Sequence, residues 1–499
     1  VEKLTLRKSG AVLEISLDGK PHASSALPEA ARRILEPALQ YQYRKFLYGA
    51  DRRCPVTGVQ RRVLVTDKQL YRYDEYGRLI TNFGFANRVQ NLLRSVGYIL
   101  ECKIVPSDRE AHRDCARPDA YSFCPENILE HFQFRERQDD AIAAIAGAQN
   151  GLVNAVTGFG KLVLIAMTCL AYPKAVFHIV TRRATLVHKI HDYLTKYIPD
   201  VGLVGAGSRY VGRRVTVSTA ASMHHLSPWD ADFLLADEAH ELLAEESAKF
   251  LAKYDCARMF AFTASPTGRM DGTDMRMEAI FGEQIFYLPY WEAVELGLVV
   301  PIRVEWTDVL MDHNPVADKD GVPKKRWGHW RNQYRNQLIA DKANSFDSAD
   351  QVLLLVDTIE HACYLKAHLP TYKLVYAPGE VAKTDFYVAK DLVKEEDLKL
   401  TPKLAEQFRK EFEAGELKKV IATGVWSVGI DPVHLTALIR GSAGSSEIMD
   451  IQAPGRASRR VPGKHVGIVC DFKDQFDSAF SSAAKKRASH YKALRWEQV

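Results

Sequence analysis

Apolar runs recur along most of the chain, and what lies between them changes twice. Over the first 125 residues the periods are mixed. Val12–Leu17 alternates apolar and polar side chains, the period of a half-buried strand. Residues 28–39 carry helical spacing. Residues 61–66 predict a strand, and the Tyr76-Gly77 turn closes a hairpin onto Leu79-Ile80. Residues 85–96 predict an amphipathic helix stopped by Gly97. The mixture predicts a small α+β domain. Residues 107–127 are polar, charged and proline-containing, and predict a linker.

From Phe132 the pattern becomes regular. Short apolar runs at 175–180, 215–218, 233–236 and 259–262 alternate with helical segments. A second series follows at 352–356, 373–376, 420–423, 437–439 and 466–470. Such alternation builds parallel, doubly wound sheets. Residues 308–336 are polar, hold Gly321-Val322-Pro323, and predict the connection between the two halves; residues 387–401 predict a charged insertion. The expected architecture is α/β: a small α+β domain over 1–125, one parallel-sheet domain over 126–307, a connection over 308–336, and a second such domain over 337–499.

Composition narrows this little. At 499 residues, three domains is the natural division. A hydrophobic content of 46% against 26% charged reads as a soluble protein. No apolar run is long enough to span a bilayer and no secretory signal opens the chain, so the expectation is a cytoplasmic protein. The eight cysteines are scattered without a CxxC pair, and the spacing of His112, Cys115 and Cys124 fits no standard zinc site. Charge changes the picture more. Residues 41–98 hold eleven Lys or Arg against four Asp or Glu, an excess of +7 in a chain of net +5. Tyr43, Phe46, Tyr48, Tyr71, Tyr73, Tyr76, Phe83 and Phe85 interleave with them. That composition suits a phosphate backbone and exposed bases, and equally a solvated basic face over an aromatic core. Arg44, Lys45, Arg52, Arg53, Arg61 and Arg62 are the candidate contacts.

The strongest candidate chemistry begins at Ala155. Thr157-Gly158-Phe159-Gly160-Lys161 separates the apolar run 151–153 from the apolar run 162–167, the layout of strand, glycine turn and helix. Backbone N–H groups of such a turn and of the helix start cradle phosphates, with Lys161 against the terminal ones. Alone, these residues equally describe a plain strand-to-helix turn. Asp237-Glu238-Ala239-His240 follows the run 233–236, so its carboxylates fall at a strand's carboxyl tip. There Asp237 suits a metal ion, and Glu238 suits polarising an attacking water. Thr263 and Ser265 follow the next strand, where two hydroxyls can bridge His240 to the second domain; taken alone, they equally describe an ordinary helix cap. Gln452 opens the segment that ends in Arg456 and Arg459. These arginines stand three apart, on one face of a helix, and suit the charge that spreads over a transferring phosphoryl group.

Assembled, these residues resemble a superfamily 2 helicase of DEAH type over residues 130–480. The resemblance implies two tandem RecA-like domains, ATP with Mg²⁺, and a nucleic-acid partner. It implies adenine reading by Gln138, strand contacts by Thr181, Arg182, Arg183, Ser218, Thr219 and Thr423, and nucleotide contacts by Gly429 and Asp431. It implies catalytic roles for Gln452, Arg456 and Arg459. The basic N-terminal part, with Tyr76-Gly77-Arg78 and Phe83-Gly84-Phe85, and Gly379-Glu380-Val381 further on, resemble the UvsW- and RecG-like branch-migration helicases known from phage and bacteria. That narrows the expected partner to branched or duplex DNA in recombination, repair or replication. Two departures stand out. Ala155 replaces the usual first glycine, and Leu162 stands where the family offers Mg²⁺ a hydroxyl; a leucine cannot coordinate a hard cation. Leu162 therefore keeps open a nucleotide-gated clamp with little turnover. A restriction-type translocase subunit with a separate nuclease is a further alternative.

Overall fold

The computed structural model describes residues 3–9, 12–17, 26–46, 63–104, 119–254, 257–265, 272–377, 384–426 and 430–499. They fall into two compact units, 1–155 with 160–288 and 156–159 with 289–499.

The first unit opens on the mixed region. Strands β1 (Lys3–Ser9), β2 (Val12–Leu17), β5 (Tyr71–Tyr73), β6 (Leu79–Asn82) and β7 (Ile99–Ile104) form one sheet in the order β5-β6-β2-β1-β7. Its pairs are antiparallel except β1 with β7. The alternation in β2 puts Leu13 and Ile15 inside, where they share a core with Ala31 and Leu35 of the helix Glu29–Ala38. The helix Ala86–Ser95 adds Val89 and Leu93 to the same core. Strands β3 (Gln40–Phe46) and β4 (Val63–Gln69) pair separately as an antiparallel ribbon.

The same unit holds an eight-stranded sheet of β8 (Asn150–Ala155), β9 (Phe177–Thr181), β10 (Val201–Gly205), β11 (Ser208–Tyr210), β12 (Val215–Thr219), β13 (Phe233–Asp237), β14 (Arg258–Thr263) and β15 (Gln284–Leu288). The order is β11-β10-β12-β9-β13-β14-β8-β15, parallel throughout except β10 with β11. Strands β9, β12 and β13 are buried along their whole length, as continuous apolar runs in a sheet covered on both faces should be.

The second unit carries a seven-stranded parallel sheet: β16 (Ile302–Val309), β17 (Val352–Leu355), β18 (Lys373–Val375), β19 (Lys419–Ala422), β20 (Ala437–Arg440), β21 (Gly467–Asp474) and β22 (Glu497–Gln498). The order is β18-β19-β17-β20-β21-β16-β22.

Three sequence expectations meet a different structure. The mixed region and the first parallel sheet lie in one unit, because Ala279, on the helix Met275–Phe281 of the sheet domain, belongs to the N-terminal core. The described end of the expected linker is packed: Ala120 is buried, and Tyr121 lies against Phe233. The polar stretch 308–336 belongs to the second unit, whose sheet already includes β16. Its charges are paired there. Arg326 and Arg331 share Glu360, and Arg335 meets Asp474 at 2.7 Å with both side chains enclosed. Burial of matched ions is invisible to a hydropathy pattern.

Candidate functional site

The parallel register of the first unit gathers the candidate residues at one edge. Thr263 pairs with Asn154, Asp237 with Phe262, and Thr219 with Thr181. Five strand ends thus line up at the carboxyl edge, where parallel α/β sheets bind ligands.

At the end of β8 the chain turns through Gly158 (φ +104°) and Gly160 (φ +99°), conformations that glycine adopts without strain. Gly160 caps the eleven-residue helix Lys161–Ala171. The open N–H groups of that helix start face the turn, the arrangement that attracts an anion. Phe159 is fully buried and anchors the turn. The Lys161 amine donates to the Ala155 carbonyl at 3.2 Å, folded over the turn. Gln138 is buried, accepts from the Arg135 N–H at 3.0 Å, and sets its amide nitrogen close beside Gly160. Leu162, in the first turn of the helix, is half-buried.

Asp237 is buried at the tip of β13. Burial first, then the neighbouring Glu238 charge, push its carboxyl well above the usual carboxylate range, while Lys161 and Lys189 pull the other way. Glu238 takes a left-handed backbone conformation (φ +47°), which is strained for a residue with a side chain. His240 Nδ1 lies 2.9 Å from Thr263 Oγ1, which also accepts from the Ser265 N–H at 3.1 Å. His240 Nδ1 is 3.5 Å from Glu238 Oε2. Asp237, Glu238, His240, Thr263 and Ser265 are therefore one cluster. Crowded acids beside a lysine at a phosphate-type turn fit a cation–triphosphate pair; Leu162 contributes no oxygen to it.

Other candidates are placed differently. Thr181, Ser218 and Thr219 are buried at their strand ends. Arg182 is exposed, whereas Arg183 gives its guanidinium to Glu241, with Nη2 at 2.7 Å and Nε at 3.1 Å from the same oxygen. Arg44 is exposed on the β3–β4 ribbon, and the Lys45 backbone pairs there with Leu64. Arg52, Arg53, Arg61, Arg62, Gly379, Glu380, Val381 and Gly429 lie outside the described residues.

In the second unit Thr423 is buried just beyond β19, its N–H on the Val375 carbonyl at 3.0 Å. Gln452 closes the helix Glu447–Gln452 and is buried; the chain continues as the tight turn Pro454–Ser458. The two arginines do not share one helix face, because the tight turn separates them. Arg456 is buried and donates to the Trp426 carbonyl at 2.7 Å. Arg459, more open, pairs with Asp431 at 2.7 Å.

Sequence reasoning missed Lys189, Glu241 and Arg276. Lys189 acts on Asp237 from the helix Ala184–Leu194, and Glu241 fixes Arg183. Arg276 donates to the Leu243 carbonyl at 3.0 Å, three residues beyond His240. No motif marks them; Glu241 alone had a signal, its place next to Asp237–His240.

Comparison with known proteins fits this geometry. Residues 131–268 match the family model of the type III restriction enzyme res subunit. A probable helicase D10 of Escherichia phage T5 is 21% identical over 374 residues, spanning 74% of this chain and 77% of that protein. Among solved structures, T4 UvsW aligns over 100% of this chain and 98% of its own, at 16% identity and a TM-score of 0.40. S. cerevisiae Dbp5 bound to RNA and ADP BeF3 aligns over 76% of this chain and 95% of its own, at 12% identity and a TM-score of 0.53. The chain has the superfamily 2 helicase fold, with RecA-like parallel-sheet domains. Among the described residues no helix is long and apolar enough to cross a membrane.

Proposed function

We propose that this chain is an ATP-driven DNA helicase or translocase, working inside the cell on branched or duplex DNA in recombination, repair or replication. The observation that carries the reading is the carboxyl edge of the first unit. There Gly160, a helix start, Lys161, the buried Asp237 and the half-buried Glu238 converge. The turn 157–160 and Lys161 hold the triphosphate, and Gln138 reads the base. Asp237 would hold Mg²⁺, which when bound neutralises phosphate charge. Glu238 orients the attacking water and takes its proton. Gln452, Arg456 and Arg459, with Gly429 and Asp431, are the second unit's catalytic and nucleotide-binding residues. Of the two arginines, Arg459 has the exchangeable partner, since a phosphate can replace Asp431 on its guanidinium. Arg182, Arg183, Thr423 and the basic N-terminal region meet DNA. The matches to a phage helicase and a restriction subunit support a DNA motor.

The test is phosphate release with and without a four-way DNA junction, on the native chain and on Lys161→Ala. Junction-stimulated turnover that Lys161→Ala lowers at least a hundredfold, with DNA affinity kept within a few-fold, is the expected result. Unchanged turnover in a folded variant overturns the assignment. Leu162 favours a second reading, a clamp that binds nucleotide and DNA without turnover; the same assay shows it as tight binding without phosphate release.

A further inference from the structure

The helix Met275–Phe281 lies between the basic N-terminal region and the segment that carries Asp237 to His240. Four independent contacts tie it to the N-terminal side. A methyl group at Gly84 would collide with the carbonyl oxygens of Glu278 and Ala279. Arg88 Nε donates to Glu278 at 2.8 Å. Ala279 is buried in the N-terminal core, with Met275 packed against it. Gly272, just before the helix, lies so close to the β3 backbone that a side chain there would strike the Gln42 carbonyl. The helix is thus a shared wall rather than a hinge.

Arg276 on this helix faces both ways. Its guanidinium lies over the Tyr41 ring, 5.7 Å from the centroid, at the root of the basic β3–β4 ribbon. The same group donates to the Leu243 carbonyl at 3.0 Å. Leu243 ends the short 3₁₀ turn Ala239–Leu242 that follows the acidic pair. Two other strands' ends hold that turn: Arg183 grips Glu241, and Thr263 bonds His240. The turn that sets Asp237 and Glu238 is therefore held from three directions, and the third leads to the N-terminal ribbon.

We propose that Arg276 is a positioning residue that couples nucleic acid bound at the N-terminal ribbon to the nucleotide cluster. The physical basis is that a cation stacked on one group and hydrogen-bonded to another fixes their separation. Movement of the ribbon when it takes a phosphate backbone then shifts the Leu243 carbonyl, and with it the turn carrying Glu238. Coupling of this kind is reciprocal: DNA changes nucleotide affinity by the factor by which nucleotide changes DNA affinity. The inference rests on the proposed nucleotide and DNA sites, but not on turnover.

The experiment measures the affinity of the full chain for a fluorescent non-hydrolysable ATP analogue, with and without a saturating four-way DNA junction. Junction affinity is measured alongside by anisotropy. Native protein should show at least a fivefold change in analogue affinity on adding the junction. Arg276→Ala should bring that ratio within twofold of one, while each affinity measured alone moves by less than threefold. Arg276→Lys, which keeps charge and one donor, should recover part of the ratio. A native-like ratio in Arg276→Ala overturns the proposal, as does a native ratio of one. A parallel loss of both separate affinities in either variant also overturns it, because that marks a role in holding the fold. Failure of native protein to bind the analogue at all sinks the functional reading instead, a result separable from the others.

Discussion

In the first unit the buried Asp237 and the half-buried Glu238 stand side by side at a strand tip, with Lys161 and Lys189 the cations that act on Asp237. In the second unit buried acids are matched to arginines. Arg335 meets Asp474 at 2.7 Å, Arg487 meets Asp471 at 2.9 Å, and Arg440 meets Asp450 at 2.5 Å. Tyr491 adds its hydroxyl to Asp471 at 2.8 Å, and His490 meets Asp450 at 2.7 Å. The spare donors of the arginines go to one loop: Arg335 to the Gly441 carbonyl, Arg487 to Ala443, and Arg440 to Gly444. The same folding pattern thus uses buried charge in two ways. A like-charge pair raises the Asp237 pKa and costs the fold stability while both acids are ionised. A network of opposite charges specifies one arrangement of a glycine-rich loop, here the one leading to Gln452 and Arg456.

Removing one partner from the matched side should produce the largest stability loss. Arg487→Met leaves Asp471 enclosed without its guanidinium and frees the Ala443 and Phe472 carbonyls. The expected cost is about 3–5 kcal/mol. Six of the seven tryptophans lie in the second unit, so urea unfolding followed by tryptophan fluorescence reports on it. Arg487→Met with Asp471→Leu should regain part of the loss, since no lone charge is then buried. A loss under about 1 kcal/mol in the single variant would mean that the Arg487–Asp471 pair does not hold this part of the fold.

On the side of the acidic pair the effect should appear in chemistry. Leu162→Thr supplies a hydroxyl in the first turn of the helix that Lys161 opens, and leaves both acids in place. It should raise metal-dependent, DNA-stimulated turnover about tenfold, about 1.4 kcal/mol of barrier. Mg²⁺ readily keeps waters in place of protein ligands. A magnesium titration that superimposes for both forms would show that water already fills the place and that the leucine costs nothing.

The contrast between the units also marks what a sequence discloses. Parallel alternation, the glycine turn and the acidic pair were legible because each is local: a strand run, a turn and a tip lie within fifteen residues. The helix Glu29–Ala38 and the hairpin onto β6 were legible for the same reason. The packing of 308–336 was not, because Arg335 gains its partner 139 residues away. The docking of the N-terminal region on Met275–Phe281 was hidden likewise, since Gly84 meets Glu278 across 194 residues of sequence. Arg456 and Arg459 were legible as residues but not as a pair with different partners, because a tight turn replaced the expected helix.

The smallest effect tests whether the second unit also keeps its buried histidines as structure. His361, on the helix Ile359–His368, is fully enclosed, with Nε2 3.1 Å from Asn336 Oδ1. Burial first, then the Arg335 charge, hold its ring well below the ordinary histidine pKa. The folded state therefore refuses a proton that the unfolded chain accepts near pH 6.5. Stability from this group is complete above that value and is lost as pH falls toward the depressed folded-state pKa. Between pH 6.5 and 5.5 the loss should be about 1 kcal/mol for one site. His329 is depressed in the same direction, so replacing one histidine removes only its own share. His361→Gln, which keeps a polar group for Asn336, should unfold in urea with a flatter dependence on pH than native protein. The difference, followed by tryptophan fluorescence, is expected only below about pH 6.5. Curves that stay parallel down to pH 5.5 would show that His361 accepts its proton without opening the fold, and that the second unit holds a titrating group after all.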